Sequence, residues 1–187
     1  MLAAPVIRSV LFGLRDCLLQ VIDQQPRPAP GALATLASLR DAQIPCIWLD
    51  QLPDTEGKHL AEVLPAWLPG YAHKGTPWPA PDPCWQALMA MQAEQLEGCV
   101  LVSGEPKLLQ AGLNAGVWTV GLAACEPVGE SSALQWQGMT VQQRDIARGK
   151  ATLALFNLGV HSVIDHLAEL DTCLADIALR CSKGEKP

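Results

Sequence analysis

The chain reads as a three-layer α/β/α sandwich, Rossmann-like, built on a mainly parallel five-stranded sheet. Two observations predict it. Short apolar runs, the mark of strands buried on both faces, alternate along the chain with longer runs whose apolar residues recur about every 3.6 positions. That alternation is the pattern of βαβ units, with right-handed crossovers and helices on both faces of the sheet. Neither an internal repeat nor a linker interrupts the 187 residues, so a single domain over 1–181 with a flexible charged tail at 182–187 is expected.

In chain order, strand signals fall at 6–12, 44–50, 99–103, 117–122 and 160–164. Helix signals fall at 31–42, 58–67, 82–95, 106–115, 141–158 and 167–181. Pro30 is placed in the first turn of its helix, where a missing N–H costs nothing. Gly116 follows Asn114-Ala115 at a helix end, a position that favours left-handed backbone. The prolines at 77, 79, 81 and 83 hold the preceding chain in a stiff loop until a helix capped near Asp82. Residues 126–138 read as a surface excursion.

With 49% hydrophobic and 17% charged residues, the chain can bury roughly 70% of its unfolded surface without a disulfide or metal staple. A formal charge of -6 argues against nucleic-acid binding, which needs basic patches to neutralise phosphates. Seven cysteines, odd in number and never in a CxxC pair, fit small apolar residues in a reducing cytoplasm. No apolar run approaches the ~18 residues of a membrane span. The first residues lack the basic-then-apolar order of a signal peptide, so a cytoplasmic location is expected.

The segment Val10-Leu-Phe-Gly-Leu-Arg-Asp-Cys-Leu-Leu closes the first strand, where an open α/β sheet places its ligands. It resembles the first motif of the haloacid dehalogenase (HAD) superfamily, hydrophobic-hydrophobic-Phe-Asp-x-Asp-Gly-Thr-Leu. Phe12 and Leu18 match, while the nucleophilic Asp falls on Gly13 and the acid/base Asp on Arg15. The likeness continues through the chain. Pro30-Gly-Ala-Leu-Ala-Thr-Leu-Ala-Ser-Leu-Arg is similar to the helix before the second motif. Ile44-Pro-Cys-Ile-Trp-Leu-Asp is similar to that motif's strand, with Asp50 in the phosphate-binding Ser/Thr slot. Pro79-Ala-Pro-Asp resembles the third motif, with Trp78 in the lysine slot. Cys99-Val-Leu-Val-Ser-Gly-Glu-Pro resembles the fourth, with the magnesium Asp on Gly104. Asn114-Ala-Gly-Val-Trp-Thr-Val-Gly and His161-Ser-Val-Ile-Asp-His-Leu-Ala-Glu-Leu resemble the phosphonoacetaldehyde hydrolase branch, which stands beside the beta-phosphoglucomutase-like enzymes.

The resemblance implies a HAD core without its cap, since only about ten residues, 20–29, fill the place where relatives insert a helical cap. It also implies lost chemistry. Aspartyl-phosphate formation needs a carboxylate nucleophile, a second carboxyl group for proton transfer and oxygen-bound Mg2+. Gly13 has no side chain to attack with, and Arg15 is permanently cationic. No catalytic residue and no metal ligand is therefore assigned, and no cofactor is expected. Two readings of the remaining carboxylates stay open. Asp16, Asp50 and Glu105 form a displaced Mg2+ site, or they cap a turn, end a strand and sit at a helix N-terminus.

Other candidates have bland counterparts. Cys17 is a thiolate nucleophile lowered by Arg15, or an inert buried thiol. Lys74 replaces the lost lysine, or is a solvated loop residue. His59, His73, His161 and His166 show no metal-ligand spacing and read as surface residues. Trp48, Trp85 and Trp118 read as core. Trp67 and Trp78 lie beside loops, where a ligand platform is the alternative. The leading expectation is a catalytically inactive HAD-fold protein, a pseudoenzyme binding an unknown protein or a small anionic ligand. Arg15 with the backbone N–H groups of Gly104 and Glu105 would form the anion site. The alternative is a Mg2+-dependent phosphatase or phosphonatase-like hydrolase with rearranged carboxylates. Neither nucleic acid nor membrane is an expected partner, and a homo-oligomer using surface that a cap would cover is a third expectation.

Overall fold

The computed structural model describes residues 7–72, 75–124 and 138–187. A six-stranded sheet runs in the order β5-β4-β1-β6-β7-β8, and every neighbouring pair is parallel. Its strands are β1 (Ser9–Gly13), β4 (Cys46–Asp50), β5 (Gly70–Ala72), β6 (Cys99–Ser103), β7 (Trp118–Leu122) and β8 (Ser162–Ile164). The expectation of five strands is corrected by β5, a three-residue edge strand too short to leave a pattern. Trp48 explains Gly70 there, because a Cβ on Gly70 would lie 1.9 Å from the indole.

Alternate residues of the central strands feed two cores, as the period of a strand requires. Val10, Phe12, Trp48, Val100, Val102 and Trp118 pack on one face against α1 (Ala32–Asp41) and, near the C-terminus, α6 (Leu170–Ser182). Leu11, Ile47, Leu49 and Leu101 pack on the other against α3 (Asp82–Ala90) and α4 (Pro106–Ala115). The long α5 (Val141–Leu158) lies beside α4 and inserts Leu155 against Leu109 and Val160. Three layers result, as the alternation of runs predicts.

Several local expectations are corrected. The helix expected at 58–67 is α2 (Asp54–Leu60) followed by a 3-10 turn, Ala61–Val63. Pro53 fixes its start, the acidic Asp54 and Glu56 favour its first turn, and the chain turns extended at Leu64 before Pro65. α3 stops at Ala90 rather than 95, with Gln92 at φ 58. Its first residue is Asp82, and no side chain caps it. Pro30 precedes its helix, because Gly31 at φ 81 is the N-cap. Trp85 is 43% exposed, its indole N–H donating to the Ala115 carbonyl at 3.0 Å. Gly116 does end α4 in the left-handed conformation. Val6, His73, Lys74, Cys125 and residues 126–137 of the expected excursion lie outside the described residues.

Most of the segment 20–29, expected to stand in place of a cap, lies in an antiparallel hairpin, β2 (Leu19–Ile22) and β3 (Gln25–Pro28). Asp23 and Gln24 turn it, both at positive φ, the geometry of a two-residue hairpin loop. Pro26 and Pro28 stand two apart, so their missing N–H groups share one edge of the strand and leave its pairing intact.

At the opposite end of the sheet, Trp118 is fully buried between the Arg180 guanidinium, 4.6 Å from its ring, and the edge-on His161 ring at 4.9 Å. His161 Nδ1 accepts the Thr119 backbone N–H at 3.0 Å, which requires that nitrogen to be unprotonated. Burial, and then Arg180, pulls the His161 pKa below its ordinary value. The folded state therefore binds this proton less readily than the unfolded chain, whose imidazoles titrate near ~6.5. The stabilisation is complete above that pH and is lost as pH falls toward the depressed folded pKa. Denaturant midpoints should fall from neutral to pH 5 more steeply in the native protein than in His161→Asn, whose amide oxygen can still accept from Thr119.

Candidate functional site

The ends of β1, β4 and β6 meet at the carboxyl edge of the sheet. There the chain leaves β1 for β4 on one side and later returns to β6 on the other. Such a switch point opens the crevice in which α/β sheets hold ligands. Gly13 ends β1, Asp50 ends β4, and Ser103 ends β6. Leu14 N–H donates to the Leu49 carbonyl, and Gly104 N–H to the Asp16 carbonyl at 2.9 Å, which fastens the β1 loop to both neighbours.

Arg15 and Asp50, 35 positions apart, form the dominant interaction. Arg15 Nε and Nη2 donate to the two carboxylate oxygens of Asp50 at 2.9 and 2.6 Å. The Leu52 N–H adds a third contact to Asp50 at 3.1 Å. Asp50 is 2% exposed and the Arg15 side chain 35% exposed, so the carboxylate depends on its partner for neutralisation. The hydrogen bond to Asp50 leads the rise of the Arg15 pKa above its ordinary value, opposed by partial burial. Asp50 thus ends β4, as the second reading of the carboxylates expects, with both carboxylate oxygens engaged by Arg15.

Around this pair the expected site residues fall into separate places. A side chain at Gly13 would require the Ser103 hydroxyl to shift, since a Cβ would approach its oxygen to 2.8 Å. That oxygen is fully buried and accepts the Glu105 N–H at 3.0 Å. Glu105 is the N-cap of α4 and accepts from Lys107 N–H at 3.0 Å. Asp16 turns the β1 loop at φ 58. Trp78 packs against the core beside α3 and α4, its indole N–H buried without a hydrogen-bond partner among the described residues.

At the anion site expected from Arg15, Gly104 and Glu105, each group has a partner within the chain. The guanidinium is forked onto Asp50, and both backbone N–H groups donate within the protein. The same geometry bears on Mg2+. Among the described residues no three His, Cys, Asp or Glu side chains converge to hold a metal, and a cation occupies the loop where a metal ligand is needed. The described residues of this crevice do not fit that ion.

The histidines and cysteines are elsewhere. His59 pairs with Glu62 on the surface. His161 is half-buried against Trp118, which corrects its expected surface position. Cys17 is buried, and its thiol donates to the Val102 carbonyl at 3.4 Å, as an inert side chain does. Burial pushes the Cys46 and Cys84 thiols up to about 12. Trp67 is covered by Arg40, 5.3 Å from its ring.

One feature of the site was not foreseen. A cavity of about 210 Å³ lies beside the β1 loop, lined by Asp16, Cys17, Gln20, Leu122, Asp165 and His166 among others. The hairpin exit and the ends of β7 and β8 wall it, and Asp16 and Asp165 belong to its lining. Asp165 also pairs with Arg148 at 3.2 Å. No local motif announces this cavity, because its residues come from four separated segments.

No protein-family model matches the chain. The phosphonoacetaldehyde hydrolase of Salmonella typhimurium is 30% identical to it over 174 residues, 86% of this chain and 62% of that enzyme. The chain therefore spans about three fifths of the length of the curated relatives it matches. One crystal structure is 48% identical, covering 96% of this chain and 98% of its own, with a TM-score of 0.86. The phosphonoacetaldehyde hydrolase like protein from Oleispira antarctica superimposes with a TM-score of 0.75 at 24% identity, over 86% of this chain and 60% of its own. The curated relatives are named phosphonoacetaldehyde hydrolases, and the names of the structural neighbours include hydrolases and a putative beta-phosphoglucomutase.

Proposed function

The chain belongs to the haloacid dehalogenase superfamily, and on that premise we propose that it is a non-hydrolytic member, a binding module built on a hydrolase scaffold. The Arg15–Asp50 ion pair carries this reading. It closes the crevice at the switch point with a neutral, internally satisfied pair, where phosphoryl transfer needs a nucleophile and a divalent cation. Gly13 supports it, since removing a nucleophile from a cooperative catalytic set costs on the order of 10^6 in rate. Binding then falls to the neighbouring cavity and the uncapped edge around it, for a small molecule or a protein segment. Purified protein is expected to cleave neither p-nitrophenyl phosphate nor phosphonoacetaldehyde, with or without millimolar Mg2+.

The names of the relatives favour a second reading, a hydrolase with relocated carboxylates, and the Asp16, Asp165 and His166 lining of the cavity gives it a location. It predicts Mg2+-dependent turnover that disappears in Asp16→Asn and Asp165→Asn. Turnover with that dependence would overturn the non-hydrolytic reading.

A further inference from the structure

We propose that the outward face of α5 is a self-association surface, on which the same helix of a second copy of this chain packs parallel and in register. This goes beyond the binding reading and stands or falls independently of it. α5 turns only Leu155 fully inward, while Ile146, Leu153 and Phe156 are 53%, 66% and 52% exposed. Together with Gly149 they occupy positions 146, 149, 153 and 156, spaced by three, four and three residues. That is the seam of a two-stranded coiled coil rather than the scatter of single exposed residues common on surfaces. A Cβ on Gly149 would meet nothing within 4 Å, so the middle of the seam is open to a partner backbone.

Charge selects the occupant and its direction. Asp145 precedes the seam and Lys150 flanks its centre. In a parallel, in-register pair these positions, five residues apart, face each other across the seam, so Asp145 of each copy meets Lys150 of the other. An antiparallel pair that sets Ile146 against Leu153 brings the two lysines together instead. Lys150 makes no ion pair within its own chain among the described residues. Asp145 shares the single Arg148 guanidinium with Asp165, and the field of Glu169 reaches that guanidinium too, so this corner carries excess negative charge. A lysine from a second copy complements it, and the seam then buries apolar surface that the fold leaves in water.

One helix face is small by the standard of specific interfaces, which bury ~1,200 Å² or more in total, so a dimer forming at roughly 10–100 µM is expected. Sedimentation velocity on the full chain from about 1 to 300 µM reads it. The weight-average mass should climb from 20.0 kDa toward twice that value. Leu153→Glu and Phe156→Glu should each hold the protein monomeric. Lys150→Glu sets a like charge against Asp145 and should weaken the dimer about tenfold or more at low salt. Met89→Glu, at an exposed apolar position on α3, should leave association unchanged. Circular dichroism confirms that each variant is folded. A native protein monomeric throughout, a dimer that survives Leu153→Glu, or one tightened by Lys150→Glu would each overturn the proposal.

Discussion

Arg15→Ala is expected to destabilise the protein by about 3–5 kcal/mol, and more than Asp50→Ala does, because the two partners are buried unequally. Removing the arginine strands the carboxylate of Asp50, 2% exposed, with only backbone N–H groups for company. Removing the aspartate leaves an arginine side chain already 35% exposed, whose guanidinium can swing into water. Its loss should therefore approach the smaller cost of a lost part-buried hydrogen-bonded pair, about 1.5–3 kcal/mol. Urea unfolding of both variants and of the double variant checks the order. A double variant milder than Arg15→Ala alone is expected, since it removes the orphaned charge together with its partner. Equal costs for the two single variants would mean that the pair is solvated on both sides and does not close the site.

The same pair marks the limit of what the sequence discloses. Five sheet strands, the alternation of helices and strands, and the left-handed end of α4 at Gly116 were legible because each has a short-range cause: period, length or a single glycine. The carboxylate at the end of β4 was legible as a residue, and so was the arginine after β1. Their engagement was not, because it depends on β1 and β4 lying side by side in parallel register. The partner of the Gly104 N–H, the Asp16 carbonyl, likewise comes within reach only where the β1 loop crosses β6, whereas the Glu105 N–H bonds the Ser103 hydroxyl two residues away. The hairpin was missed because prolines at 26 and 28 argue against a strand unless both face its unpaired edge. The displaced start of α2 has a different origin. The apolar spacing of Leu60, Val63, Leu64 and Trp67 imitates a helix that Pro65 forbids, and the true helix begins with polar residues that carry no period.

Restoring the three family carboxylates, by Gly13→Asp, Arg15→Asp and Gly104→Asp together, should produce a protein whose melting temperature depends on Mg2+, while that of the native protein does not. Without metal the variant suffers twice. A side chain at position 13 must displace the Ser103 hydroxyl from 2.8 Å and release the Glu105 N–H it accepts, an overpacking cost of about 1–3 kcal/mol. Loss of Arg15 then leaves Asp50 among new like charges at one sheet edge, and no cation balances them. Mg2+ that binds only the folded variant offsets this by mass action, about 2.7 kcal/mol at a concentration 100 times its dissociation constant. For a domain of this length, that is roughly 5–10 °C in Tm. Thermal melts in EDTA and in millimolar Mg2+ separate recovered metal binding from recovered turnover, which Trp78 in the lysine slot and the hairpin in place of a cap would still impede. A Mg2+-dependent rise in the native protein would reveal a metal site assembled from other carboxylates and would return the hydrolase reading to first place. A restored variant indifferent to Mg2+ would mean that the crevice has lost the shape of a metal site as well as its ligands.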